Sequence, residues 1–199
     1  MVGDVPCTPA RLVSAINVGF PFGLPQGDQT MFLRRTLEML GKSLNCRIRF
    51  DQRGRLFESD RPSLNLSWWQ PGTGTTLAVT CEWGLAGDVA NAFERLMAVK
   101  APMKLLIFCT RQAGNERRDI LLRTDTDAVL KAIGASIIDF GQHFEGELYV
   151  LLESVQQTSM FRSYEFRVPT TGKLAVNFER ASCLFSRTDC TSSAACHDA

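Results

Sequence analysis

Apolar positions recur along this chain first at helical and then at strand spacing. Residues 1–27 carry Pro6, Pro9, Pro21 and Pro25 with several glycines, and read as an N-terminal segment that is partly loop. Within it a short helix is expected around Pro9 to Ile16, and a loop from Gly19 to Gly27. Asp28 then reads as a helix N-cap. Leu33, Leu37, Leu40 and Leu44 follow as one buried helical stripe, with Glu38 beside it, and the pattern stops by Asn45.

Alternation comes next. Cys46, Ile48 and Phe50 share one face of a half-buried strand, with Arg47, Arg49 and Asp51 on the other. Gln52-Arg53-Gly54 reads as a hairpin turn into Arg55 to Glu58. Ser63 to Trp69 alternates again, with Leu64, Leu66 and Trp68 facing one way, and Gln70-Pro-Gly-Thr-Gly74 is a turn. Thr76 to Trp83 forms the next strand. Leu77, Val79, Cys81 and Trp83 lie on one face, and Ala78, Thr80 and Glu82 on the other.

The period then changes from two to 3.6. Asp88 reads as the cap of a helix carrying Val89, Ala92, Phe93, Leu96 and Val99, which Pro102 ends. Leu105 to Cys109 is continuously apolar, as a strand buried on both faces should be. This strand–helix–strand unit predicts a right-handed parallel crossover. A helix from near Thr126 to Ile133 with Gly134 as its C-cap comes after it. Strands at Glu147 to Ser154 and Phe161 to Val168 complete the pattern, which fades after about Pro169. The expected fold is an α/β domain of three layers over residues 28–168, with a mixed sheet around an α-β-β-β-α-β core. Residues 169–199 read as a tail.

Composition narrows this picture without changing it. The 199 residues are 45% hydrophobic and 22% charged, ordinary for one globular core and unlike a disordered chain. No window approaches a membrane span, and the N-terminus lacks a secretory pattern, so a cytoplasmic location is expected. The net charge of +1 gives no whole-molecule field for nucleic acid. Arginines cluster locally, at Arg34-Arg35, at Arg47, Arg49, Arg53 and Arg55, and at Arg117-Arg118. Such clusters are either solvated element ends or a phosphate-facing stripe. Seven scattered cysteines contain no C-x-x-C pair, and the spacing of Cys183, Cys190 and Cys196-His197 matches no zinc pattern.

The α-β-β-β-α-β order resembles the common core of the restriction-endonuclease-like superfamily, known for its PD-(D/E)xK motif. Thr80-Cys-Glu-Trp-Gly84 looks like the third-strand motif, with Glu82 at its first acidic position. Asp88-Val-Ala-Asn-Ala-Phe-Glu-Arg-Leu96 and Lys100-Ala-Pro-Met-Lys-Leu-Leu-Ile-Phe108 are similar to the helix and strand next to that motif in some members. The resemblance covers roughly residues 28–109 and implies a Mg²⁺-dependent DNA phosphodiesterase. Glu82 would be a metal ligand and catalytic residue, Asn65 or Asp60 the second-strand ligand, and Glu38 an auxiliary acid. Lys100 or Lys104 would be the charge stabiliser.

Cleaving a phosphodiester asks for a hard cation on two or three oxygens, an activated water and a nearby positive group. Two positions depart from that pattern. Asn65 keeps the shape of an aspartate without its charge, and Gly84 stands where the family has Lys or Glu. These departures raise a competing expectation: a non-catalytic scaffold on the same sheet, with a protein partner or a second copy as its ligand. A third is a piece of a larger enzyme whose other parts read DNA.

Other chemistries are weaker. His143 and His197 are the only histidines, and neither neighbours an obvious nucleophile. Gly72-Thr-Gly74 and Gly84-Leu-Ala-Gly87 fall short of a phosphate loop. Trp68, Trp69 and Trp83 read as sheet-core aromatics, with an exposed Trp69 as the one that would stack on a base or pack a partner.

Overall fold

Thr8 opens the first helix. Its Oγ1 accepts a hydrogen bond from the Arg11 N–H at 3.3 Å, and proline follows at the first helical position of α1 (Pro9–Asn17). A computed structural model describes residues 7–50, 64–109, 118–140, 146–155, 159–167 and 179–181. The second helix, α2 (Gln26–Ser43), starts two residues before the Asp28 cap expected from sequence. Its end lies close to where the apolar stripe stops, and Asn45 takes a left-handed conformation (φ 57°) just beyond.

Among the described residues seven strands form one sheet in sequence order: β1 (Arg47–Phe50), β2 (Leu64–Gln70), β3 (Gly74–Glu82), β4 (Met103–Phe108), β5 (Leu148–Val155), β6 (Met160–Arg167) and β7 (Glu179–Ala181). Neighbours β1, β2 and β3 pair antiparallel, β3, β4 and β5 parallel, and β5, β6 and β7 antiparallel. The meander and crossover expected from sequence are therefore present, in a mixed α/β sheet. The joining helix α3 (Ala86–Met97) links β3 to β4, and α4 (Arg118–Phe140) links β4 to β5.

Strand alternation divides the interior into two cores. On one face Leu77, Val79 and Cys81 of β3, with Trp83 just past it, meet Leu66 and Trp68 of β2, Leu105 and Ile107 of β4, and the stripe of α1 and α2 (Leu12, Val13, Ile16, Leu33, Leu37). Phe20 packs edge-on against Phe22, Phe32 and Phe161, and Phe22 lies tilted against Phe161, which fastens the α1–α2 connection to β6. On the other face Ala78, Leu106, Phe108, Tyr149 and Leu151 meet α3 (Val89, Phe93, Leu96) and α4 (Val129, Ile133, Ile137). Helices thus cover the sheet on both sides, as three layers require. No helix among the described residues is long and apolar enough to cross a membrane.

Several element limits differ from the sequence expectation, each for a physical reason. Asp88 lies inside α3 rather than before it: its Oδ2 accepts from the Leu85 N–H at 2.9 Å, reaching back one turn. Gly134 does not end α4, because it is buried and the helix continues to Phe140. Lys104 belongs to β4, where Glu147 meets its charge. Residues 179–181 join the sheet beside β6, so the last segment is not wholly a tail. The hairpin at 52–58 and the cysteine-bearing stretch from 183 lie outside the described residues.

Candidate functional site

The third-strand carboxylate sits at the carboxyl end of the parallel strands. In the parallel register Glu82 pairs with Phe108, and Phe108 with Glu153. Residues level on neighbouring parallel strands point to the same face, so the two glutamates flank Phe108 on the α3–α4 side. Two strand spacings put their Cα atoms roughly 9–10 Å apart. Phe108 is fully buried, and its ring keeps the row between them apolar.

Asn65 shares that face. It pairs with Thr80, whose hydroxyl donates to Asn65 Oδ1 at 3.0 Å. Its place on β2 is one diagonal step from Glu82. The carbonyl oxygen that would have to serve as a ligand already accepts a hydrogen bond.

Gly84 lies two residues past the end of the strand and is buried. A Cβ built on it would meet Asp88, coming within 2.5 Å of that residue's Cβ and 2.8 Å of its Cγ, with the carboxylate oxygen in contact. The space for a side chain at position 84 is taken by the helix-capping carboxylate. Glycine is required there by packing.

The remaining candidates lie elsewhere. Lys104 pairs with Ala78, four residues back along the sheet from the Glu82 row, or about 13 Å. There it is fully buried and donates to Met97 O at 2.7 Å and Tyr149 Oη at 3.3 Å, and it makes an ion pair with Glu147 at 2.6 Å. Burial pulls the ammonium below its ordinary value, while the hydrogen bond and charge of Glu147 push it back up. Burial raises the Tyr149 hydroxyl well above the phenol range, with Glu147 adding to the rise. Lys100 is exposed between α3 and β4, at the same far end as Lys104. Glu38 is half-buried on α2, the helix that packs on the opposite face from Glu82. Asp60 lies outside the described residues. The structure therefore brings Glu82 and Asn65 to one face and holds Glu38, Lys100 and Lys104 away from them.

Glu153, which sequence reasoning passed over, is the most enclosed carboxylate of the row. Thr126 Oγ1 donates to its Oε1 at 2.8 Å, Tyr164 Oη to its Oε2 at 3.1 Å, and Arg162 stands 3.7 Å from Oε2. A lone acid in Leu151-Leu152-Glu153-Ser154-Val155 is the signal that marks it, since such a charge inside an apolar strand needs a partner. Its donors bind β5 to α4 and β6, which is a structural task. Cys81, behind Glu82, has its thiol pushed well up by burial and by the Glu82 charge, so it is no nucleophile.

Among the described residues no group of three or more His, Cys, Asp or Glu side chains converges as a metal site would need. The described residues around Glu82 do not by themselves make a Mg²⁺ centre of the expected kind. The chain matches no family model, no curated protein and no solved structure.

Proposed function

We propose that this chain is a restriction-endonuclease-like domain that retains the nuclease scaffold as a non-catalytic binding module. The fold part of the reading is supported by the α-β-β-β-α-β order, with β3, α3 and β4 forming the crossover that begins at the motif strand. One observation carries the non-catalytic part. Asp88 fills the space that the motif's Lys or Glu would need at position 84, so the third-strand site cannot gain its second group without repacking α3. The Asn65 oxygen, turned to Thr80, points the same way.

The competing reading is a Mg²⁺-dependent DNA phosphodiesterase that draws on Glu82 together with Asp60. It is favoured by the position of Glu82, half-buried at a strand end on the same face as Asn65. Melting temperature with and without millimolar Mn²⁺ separates the two, measured on the native sequence and on Glu82→Ala. The binding-module reading expects no metal-dependent rise in either protein and intact single- and double-stranded DNA after incubation. A rise that disappears in Glu82→Ala, or DNA cleavage lost in that variant, overturns it, because a ligand that binds only the folded state must stabilise it.

A further inference from the structure

Among the described residues strand β1 is an edge of the sheet, and its outer residues are arginines. Arg47 lies directly opposite Trp69 of β2, and Arg49 opposite Ser67. Trp68 points into the α1–α2 core, so its neighbour Trp69 points to the other face. On that face α3 packs over β3 and β4, and at β1 and β2 both arginines are exposed while Trp69 is half-buried. The Arg49 guanidinium stands 4.8 Å from the Trp69 ring centroid and that of Arg47 stands 5.4 Å away. Arg34 of α2 stacks 4.2 Å over Phe50 at the same edge. None of these three arginines forms a salt bridge with another described residue.

The face is thus an indole with two cations whose charges no carboxylate among the described residues neutralises. Thr75, opposite Trp69, and Ser67 add hydroxyls beside them. Arg47 and Arg49 are two residues apart on one face, about 6.7 Å along the strand. A partner that matches must be anionic at short regular intervals and must offer flat π surfaces between the charges. An acidic peptide supplies only the charge, and a duplex keeps its base faces stacked inside.

We propose that this β1–β2 face binds single-stranded nucleic acid, with a base on Trp69 and successive phosphates on Arg47 and Arg49. The inference names the partner of the proposed binding module and rests on that reading. The net charge of +1 then means that the attraction is local to this edge. Glu82 takes no part in it.

The test uses a fluorescein-labelled oligothymidylate of about 12 nucleotides, within the usual span of such grooves. Anisotropy reports binding. Intrinsic fluorescence reports its place, since Trp68 and Trp83 are fully buried and only Trp69 is open to quenching. The expected result is saturable binding with quenching. It weakens about tenfold in the Arg47→Gln, Arg49→Gln double variant at unchanged melting temperature, as loss of two phosphate contacts should. The slope of log affinity against log salt should fall by about 1.4 in that variant. Trp69→Phe should retain binding and lose the quenching. No binding, equal binding by the double variant, or equal competition by oligoglutamate overturns the proposal. The oligonucleotide is also recovered after incubation with Mn²⁺. Shortening by the native protein but not by Glu82→Ala overturns the non-catalytic reading and leaves the binding face standing.

Discussion

Asp88 occupies the place of the side chain that Gly84 lacks. A Cβ at Gly84 would approach the Asp88 Cγ to 2.8 Å, and the same carboxylate holds the Leu85 N–H at 2.9 Å. Cap and strand end are built as one unit. Replacing Gly84 by Ala should therefore destabilise by about 1–3 kcal/mol through overpacking. Gly84→Lys should be worse and should confer no metal response. Asp88→Gly removes the obstacle, its Cβ included, together with the cap, so the double variant should cost less than the sum of the two single changes. Urea denaturation of the four proteins measures this coupling. Strict additivity would show that the two residues do not share the space.

Lys104 and Glu147 make the second test. The ammonium is enclosed by Met97 O, Tyr149 Oη and the Glu147 carboxylate, of which only the last reaches solvent. Lys104→Met strands the Met97 carbonyl and leaves Glu147 uncompensated, which should cost about 2–3 kcal/mol, below the fully buried case. Adding Glu147→Gln should recover part of the loss, because the leftover charge disappears. If Glu147→Gln deepens the loss instead, the carboxylate has another duty at that end of the sheet.

Trp83 donates from Nε1 to Thr30 Oγ1 at 2.7 Å, and the Thr30 hydroxyl donates on to Gln26 O at 2.8 Å. This relay fixes the first turn of α2 to the residue just past β3, beside Glu82. Thr30→Val keeps the shape and removes the acceptor, leaving a fully buried indole N–H unpaired at a cost of about 1–3 kcal/mol. Thr30→Ser should retain most of the stability. Thermal melts of both variants check the claim, and equal loss in the two would mean that methyl packing matters and the hydrogen bond does not.

These three sites also mark where the sequence was legible. Periodicity found the strands and helices from Leu33 to Phe108 because each buries a regular face, as the α2 stripe and the alternation of β3 show. It placed Glu82 and Asn65 on facing strands correctly for the same reason. What it missed depends on contacts between distant residues. Lys104 reads as a free cation until Glu147 and Tyr149 are brought to it by the β4–β5 pairing. Gly84 reads as a missing lysine until Asp88 is seen in its place. The last strand, β7, has three residues and no periodicity to display, and only its pairing with β6 defines it.

Glu165 on β6 gives a pH dependence. Burial pushes its carboxyl above the ordinary carboxylate value. Between the ordinary value and the raised one, the folded protein holds the proton that the unfolded chain has released. Stability must therefore fall as pH rises through that window, because the unfolded state binds fewer protons there. The contribution is fully present below the ordinary glutamate value and lost above the raised one. Glu165→Gln keeps the side-chain shape and cannot ionise, so it should show no such fall. Urea midpoints of the two proteins from about pH 4 to about pH 8 should converge at the acid end and separate toward neutrality, with the variant the more stable. A constant difference across the range would mean that Glu165 titrates alike in both states. Separation in the opposite sense would mean that a cation near β6 holds its charge in the fold.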